Sequence, residues 1–204
     1  MDIKEYIQNP CGLLSIPYCM KKTMIIPDSV KIIHNSNWIG QYDDYQRFFR
    51  VKHRLNDLAP ADFDYDIISI DHQAKQLCEM INASYKHEHI AISEKEILQW
   101  KEHETFREDL CIYISANDGI MAASGIAEYD ETCREGFIEW VQVLPEFRKR
   151  GLGKKIVFVL LSRLKSLGAE FVTVSGNLDN VFNPLALYRK CGFEGDDIWY
   201  VCHV

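Results

Sequence analysis

The segment Val141-Gln-Val-Leu-Pro-Glu-Phe-Arg-Lys-Arg-Gly-Leu-Gly-Lys-Lys155 constrains this chain more than any other. It reads as a strand, a tight turn rich in Gly and Arg, and the opening of a helix. Such a turn aims several backbone N–H groups at one spot in front of a helix N-terminus, where the donors lack partners and the helix dipole favours negative charge. Gly151 and Gly153 remove side chains that would hinder close approach. Arg148, Lys149, Arg150, Lys154 and Lys155 surround the spot with positive charge, and Leu152 lies between the glycines. The arrangement suits a pyrophosphate, and therefore an enzyme or sensor that binds a nucleotide-like cofactor.

Three phosphate-loop readings compete. A P-loop requires GxxxxGK[ST], a string that does not occur here. A dinucleotide fold requires GxGxxG and an acid at the end of the next strand. Here Lys154-Lys155-Ile156 follows Gly153, so the third Gly is missing, and the strand Phe171-Val-Thr-Val174 runs into Ser175 and Gly176. The third reading is Arg-x-x-Gly-x-Gly, Arg148 to Gly153, preceded by Val-x-Val-x-Pro. A second motif lies downstream: Asn183-Pro-Leu-Ala-Leu-Tyr-Arg-Lys-Cys-Gly-Phe193. Asn183 predicts an N-cap, Pro184 the first helical position and Gly192 a left-handed stop. The two motifs, separated by one helix and one strand, resemble the acetyl-CoA site of the GCN5-related N-acetyltransferase (GNAT) superfamily over residues 136–202.

The resemblance implies acetyl-CoA as co-substrate and an amine acceptor, a small molecule or a peptide. It implies that the pantetheine arm lies along the strand before the loop, with Val141 and Val143 supplying backbone bonds and the Val143 amide donating to the thioester oxygen. Tyr188 is then the general acid, because a phenol with a pKa near ~10 can protonate a departing thiolate. Asn183 caps the Tyr188 helix and reaches the cofactor arm, with Asn180 as its rival. Glu139 is the candidate general base, and period two places it on the strand face of Phe137 and Val141, with Trp140 opposite in the core. Glu128 and Asp130 are alternative bases, and Cys191 is a small structural residue. A reading from another class keeps the loop but no chemistry: an acyl-CoA sensor or scaffold.

The remaining pattern predicts an α/β (α+β) domain over 65–204 on a mixed, mainly antiparallel central sheet flanked by helices, preceded by an N-terminal extension over 1–60. The expected order is a strand at 65–70 and a helix at 71–84 opened by Asp71, with Leu77, Met80 and Ile81 on one face. A helix at 93–103 follows, opened by the capping box Ser93-Glu-Lys-Glu96. Strands then follow at 110–115 and 120–128, joined through Asn117-Asp118-Gly119, and at 136–144. After them come an amphipathic helix at 151–167 stopped by Gly168, a strand at 170–175, a helix at 184–191 and a strand at 197–203. In the extension, Asn9–Gly12 and Ile16-Pro17 read as turns, and 23–26 and 30–34 as short strands. Residues 43–49 read as a helical turn, 48–55 as a strand, and 56–64, with Pro60, as a linker. The extension is expected to cover a sheet edge or to form a lid.

Composition narrows the class. With 47% hydrophobic residues the chain is expected to fold on a core rather than remain disordered. A formal net charge of −7 argues against nucleic acid, serves solubility and would draw a cationic amine. No run of about eighteen apolar residues occurs, so no membrane helix is expected. Met1-Asp-Ile-Lys-Glu-Tyr6 reads as neither a signal peptide nor a lipidation motif, and seven Cys without CxxC fit free thiols in the cytoplasm. Cys11 with Cys19, or His87-x-His89, is too sparse for a metal site, so none is expected. The oligomeric state stays open, a homodimer included.

Overall fold

The computed structural model describes the whole chain except residues 57, 59–62, 89, 117 and 118. The Asn117-Asp118 part of the expected hairpin, most of the expected linker, and His89 lie outside the described residues. Among the described residues eight strands form one sheet: β1 (Val30–His34), β2 (Tyr45–His53), β3 (Asp66–Ile67), β4 (Cys111–Ser115), β5 (Met121–Asp130), β6 (Glu135–Val143), β7 (Phe171–Asn177) and β8 (Glu194–His203). Their spatial order is β1-β8-β2-β7-β6-β5-β4-β3. Every neighbouring pair is antiparallel except β6 and β7, which are parallel. This is the mixed, mainly antiparallel sheet expected from the sequence.

Among the described residues there are six α-helices: α1 (Ile3–Gln8), α2 (Pro10–Leu13), α3 (Ile70–Tyr85), α4 (Glu94–Gln99), α5 (Leu152–Leu167) and α6 (Pro184–Lys190). Helix α5 follows from its apolar stripe: Ile156, Val157, Leu160, Leu161 and Leu164 are fully buried against one face, together with Tyr188 of α6. Gly168 ends it at φ +96°. Two strand glycines let α5 come close. A Cβ on Gly125 would lie 2.3 Å from Ile156 Cγ2, and one on Gly136 would lie 2.7 Å from Leu164 Cδ1. The opposite face carries α3 and α4, packed through Leu77, Met80, Ile81 and Ile97. The capping box opens α4 as expected, with Ser93 and Glu96 each accepting the other's amide. Helix α3 begins one residue earlier than expected, at Ile70, and Ser69 rather than Asp71 holds the N-cap position.

The extension departs most from expectation. Residues 24–27 form no strand, and Ile25 stands fully in solvent. The helical turn expected at 43–49 is instead the start of β2, because β8 and β7 pair with both of its edges and sheet bonding overrides local pattern. Strand β2 therefore lies inside the sheet. Asn9–Gly12 lies in helix, with Asn9 capping α2 by accepting the Gly12 amide. Tyr6 of α1 reaches through to a buried network: its hydroxyl donates to Glu135, and Arg50 donates to Tyr6 Oη, Glu135 Oε1 and Thr173 Oγ1 at 3.1–3.2 Å. Strand β3 is only two residues long, and β8 begins at Glu194, earlier than the expected 197.

Candidate active site

The site lies where the parallel strands part. Strands β6 and β7 pair only from Glu135 opposite Phe171 to Ile138 opposite Val174. Beyond that point β6 continues along β5 to Val143, and β7 continues along β2 to Asn177. A β-bulge sits at the fork. Ile126 faces Trp140 and Ala127 faces Ile138, so Glu139 is the extra residue. The bulge overturns the period-two expectation for this strand. Ile138, not Phe137, shares the α5 face with Val141 and Val143, whereas Trp140 packs on the α3–α4 side against Tyr85 and Trp100.

Past the bulge, β6 presents one edge to the gap. The Leu144 amide bonds Ala122 O towards β5. Backbone groups alternate between edges, so Val141 and Val143 face the other way. Two side chains confirm this. Tyr85 Oη donates to the Val141 carbonyl at 2.9 Å, and Arg148 Nε donates to the Val143 carbonyl at 3.1 Å. The amides of both valines face the gap. Sequence reading missed Tyr85, although it lies one turn beyond Ile81 on the buried stripe of α3 and carries a hydroxyl there. Burial raises its phenol to about 12, so it donates rather than ionises.

The gap leads to the Gly/Arg turn. Lys149 (φ +62°) and Gly151 (φ +81°) are left-handed, which curls the backbone into an anion-binding nest. Lys155 makes the first intrahelical bond of α5, to Gly151 O. The amides of 149–154 have no acceptor among the described residues. Glycine at 151 answers a conformational demand, since nothing lies within 4 Å of an added Cβ. At Gly153 an added Cβ would meet Leu187 at 3.4 Å, an ordinary contact. Arg148 also makes contacts within the protein. Its Nη2 donates to Ser84 O at 2.7 Å and its guanidinium lies over Phe182, so it ties the turn to the end of α3. Arg150 Nη2 donates to Glu146 O, and Lys154 lies over the Phe158 ring.

Glu139 is the bulge residue at the fork, and its charge acts on Tyr188. Glu139 is open to solvent at the mouth but enclosed by protein elsewhere, and that enclosure, ahead of the Glu128 charge, pushes its pKa up to about 7. Tyr188 is buried between Phe49 and Phe193, with ring centroids 6.0 and 5.4 Å away. Burial, then the charges of Tyr85, Cys191 and Glu139, push its phenol above the ordinary range. Asn183 caps α6 as expected, from a left-handed conformation, accepting the Ala186 amide at 3.2 Å. Asn180 Oδ1 accepts the Phe182 amide. Cys191 is buried, which raises its thiol to about 11 and leaves it a poor nucleophile.

The alternative bases are engaged elsewhere. Asp130 Oδ1 accepts the Thr132 amide in the β5–β6 turn, and Glu128 bonds His103 and Thr105. Among the described residues no group of three or more His, Cys, Asp or Glu is placed to hold a metal ion, and no helix is long and apolar enough to cross a membrane. A cavity of about 500 Å³, lined by Leu13, His34 and Trp199 among others, lies at the β1–β8 end, away from this chemistry.

A family model described as "Acetyltransferase (GNAT) family" matches residues 74–193, more than half of the chain. The glucosamine 6-phosphate N-acetyltransferase of Arabidopsis thaliana is 31% identical over 94 residues, 44% of this chain and 60% of that protein. Among solved structures, a GCN5-related N-acetyltransferase from Sphaerobacter thermophilus aligns with a TM-score of 0.67 at 14% identity, covering 78% of this chain and 51% of that one. The ribosomal-protein-S18-alanine N-acetyltransferase from Escherichia coli aligns with a TM-score of 0.55 at 17% identity, over 69% of this chain and 93% of that one. At such identities the structural likeness establishes the fold alone.

Proposed function

The chain belongs to the acetyltransferase (GNAT) family, and from that premise we propose that it transfers an acetyl group from acetyl-CoA to a primary amine by direct attack in a ternary complex. The observation that carries this reading is two groups of unpartnered backbone donors near each other in the chain. One is on the open β6 edge at Val141 and Val143, and the other is the nest at 149–154. An extended arm with alternating amides fits the edge, and a pyrophosphate fits the nest, with Lys149, Arg150 and Lys154 adding charge. Asn180 and Asn183, which cap the turn and helix before Tyr188, are the proposed contacts for the cofactor arm.

The amine nitrogen attacks the thioester carbon while the Val143 amide donates to the carbonyl oxygen. Glu139 accepts a proton from the ammonium, a task that suits a carboxylate whose pKa is raised to about 7. The C–S bond breaks, and Tyr188, kept protonated by burial, gives its proton to the thiolate. We assign this chemistry to residues 65–204 and treat 1–60 as an extension that shares the sheet. The acceptor is a small-molecule or peptide amine. The similarity to a glucosamine 6-phosphate enzyme and the fold shared with an alanine N-acetyltransferase nominate those two acceptor types for assay.

Isothermal titration with acetyl-CoA, alongside NAD and ATP, tests the reading, followed by an assay of CoA release with amines. Selective acetyl-CoA binding with amine-dependent CoA release is expected. Equal binding of all three nucleotides would reduce the nest to a generic anion site.

A further inference from the structure

Strand β7 changes character where it leaves β6. Phe171 to Val174 are buried, and Ser175 is exposed. The last parallel pair is Ile138 opposite Val174, so Glu139 and Ser175 are the first residues of the two strands beyond it. Glu139 is exposed as well. The two residues head the arms of the fork, on strands that run about 5 Å apart where they pair. On its other edge β7 pairs with β2, and there Ser175 lies directly opposite Arg50. Arg50 is 1% exposed, and its Nη2 is occupied by Tyr6, Glu135 and Thr173 in the interior. Its Nη1 donates to the Ser175 hydroxyl at 3.1 Å. A guanidinium has donors only, so the Ser175 oxygen accepts and its own proton is left to give. Among the described residues no protein group takes that proton. Accepting from a cation also polarises the hydroxyl and strengthens it as a donor. An exposed hydroxyl donor, fixed by a buried cation, thus stands across the fork from the carboxylate assigned to the amine.

We propose that Ser175 determines acceptor specificity: it donates to an oxygen on the carbon next to the one that bears the reacting amine, so the acceptor is a 1,2-amino-oxygen compound. This rests on the acetyl-transfer reading above. An ammonium group carries protons and no acceptor, so the Ser175 proton has no partner there. Glu139 serves that group, and the Val143 amide serves the thioester oxygen. The partner left for Ser175 is an oxygen of the acceptor itself. A short N–C–C–O segment can bridge neighbouring strands, its nitrogen on Glu139 and its oxygen on Ser175, through hydrogen bonds of ordinary length. A peptide N-terminus carries this segment as its amine and first carbonyl. An amino sugar carries it as its amine and an adjacent hydroxyl. A plain alkylamine lacks the oxygen. Arg50 is a positioning residue here, acting only through Ser175.

The test uses matched acceptors with the full chain: an alanine-first peptide against isopropylamine, and glucosamine 6-phosphate against cyclohexylamine, each assayed by CoA release from acetyl-CoA. The wild type should favour the oxygen-bearing member of at least one pair, and that pair tells whether the source is a peptide or an amino sugar. In Ser175→Ala the ratio of kcat/KM within that pair should fall by ~3–10-fold, the scale of one net hydrogen bond. Ser175→Thr keeps the hydroxyl and should restore the ratio. The ratio is the readout because leaving Arg50 Nη1 without its partner can loosen the strand, and such a loss strikes both amines alike. An equal loss with both members, as a donor to the thioester oxygen or a purely structural bond to Arg50 would give, overturns the assignment and leaves acetyl transfer standing. So does a ratio that Ser175→Ala leaves unchanged, or a wild type that favours the oxygen-free amine in both pairs. A wild-type protein that acetylates none of the four amines overturns both.

Discussion

At the scale of single residues, the site separates two titratable groups by environment. Glu139 bonds no other side chain among the described residues, and its pKa of about 7 follows from enclosure and a like charge. In its proposed role as base it works only when ionised, so kcat should rise with pH and level off above about 7. Glu139→Gln should lower kcat by ~10²–10⁴-fold and remove that inflection, measured by steady-state profiles of both proteins. The sign for stability is opposite. The folded chain holds this proton more tightly than the unfolded one, so the Glu139 contribution declines as pH rises from the ordinary carboxylate range to about 7. Tyr188 is shifted upwards and stays protonated across the working range. Tyr188→Phe removes only a hydroxyl, so acetyl-CoA affinity by titration should hold while kcat falls by ~10²-fold or more. Equal turnover would remove Tyr188 from the mechanism.

At the scale of elements, three devices build the gap. The parallel pairing of β6 and β7 ends after four residue pairs, the bulge at Glu139 turns β6 away, and α5 starts from a left-handed Gly151. None works unless α5 lies tight on the sheet, and that depends on Gly125 and Gly136. Gly125→Val would set branched atoms against Ile156 and Leu160, where even a Cβ lies 2.3 and 2.9 Å away. Overpacking of this kind costs ~1–3 kcal/mol. Denaturant unfolding should show that loss, and acetyl-CoA binding should weaken as the α5 N-terminus shifts. A variant as stable as wild type would mean that α5 yields without cost.

At the scale of the molecule, residues 1–60 and the rest of the sheet share a charged interior. Arg50 from β2 is 1% exposed and Glu135 from β6 is fully buried, joined at 3.2 Å and completed by Tyr6, Thr173 and Ser175. Removing one member leaves the other charge buried without its counter-ion. Arg50→Ala should therefore cost ~3–5 kcal/mol by denaturant unfolding, whereas Arg50→Met with Glu135→Leu should recover much of that loss. The same cost in both variants would show that packing volume, not charge, holds the two parts together.

The sequence by itself determined what depends on neighbours along the chain. The Gly/Arg turn and its left-handed Gly151, the Asn183 cap with Pro184, the Ser93–Glu96 capping box, the stripe of α5 and its Gly168 stop all follow from residues within a few positions of one another. Together with the order of elements, they were enough to read the fold class. Tertiary structure decided whatever depends on a partner distant in sequence. Period two is a rule for a regular strand, and only pairing with β5 reveals that Glu139 is a bulge. The pattern at 43–49 reads as a helical turn until β7 and β8 supply both edges of β2. The bonds from Arg148 to Ser84 and Val143, the Tyr85 bond to Val141 and the His103 bond to Glu128 have no local signature. Local torsions and caps are fixed over a turn or two of chain, whereas register, pairing and proximity are set by long-range contacts that one-dimensional pattern does not encode.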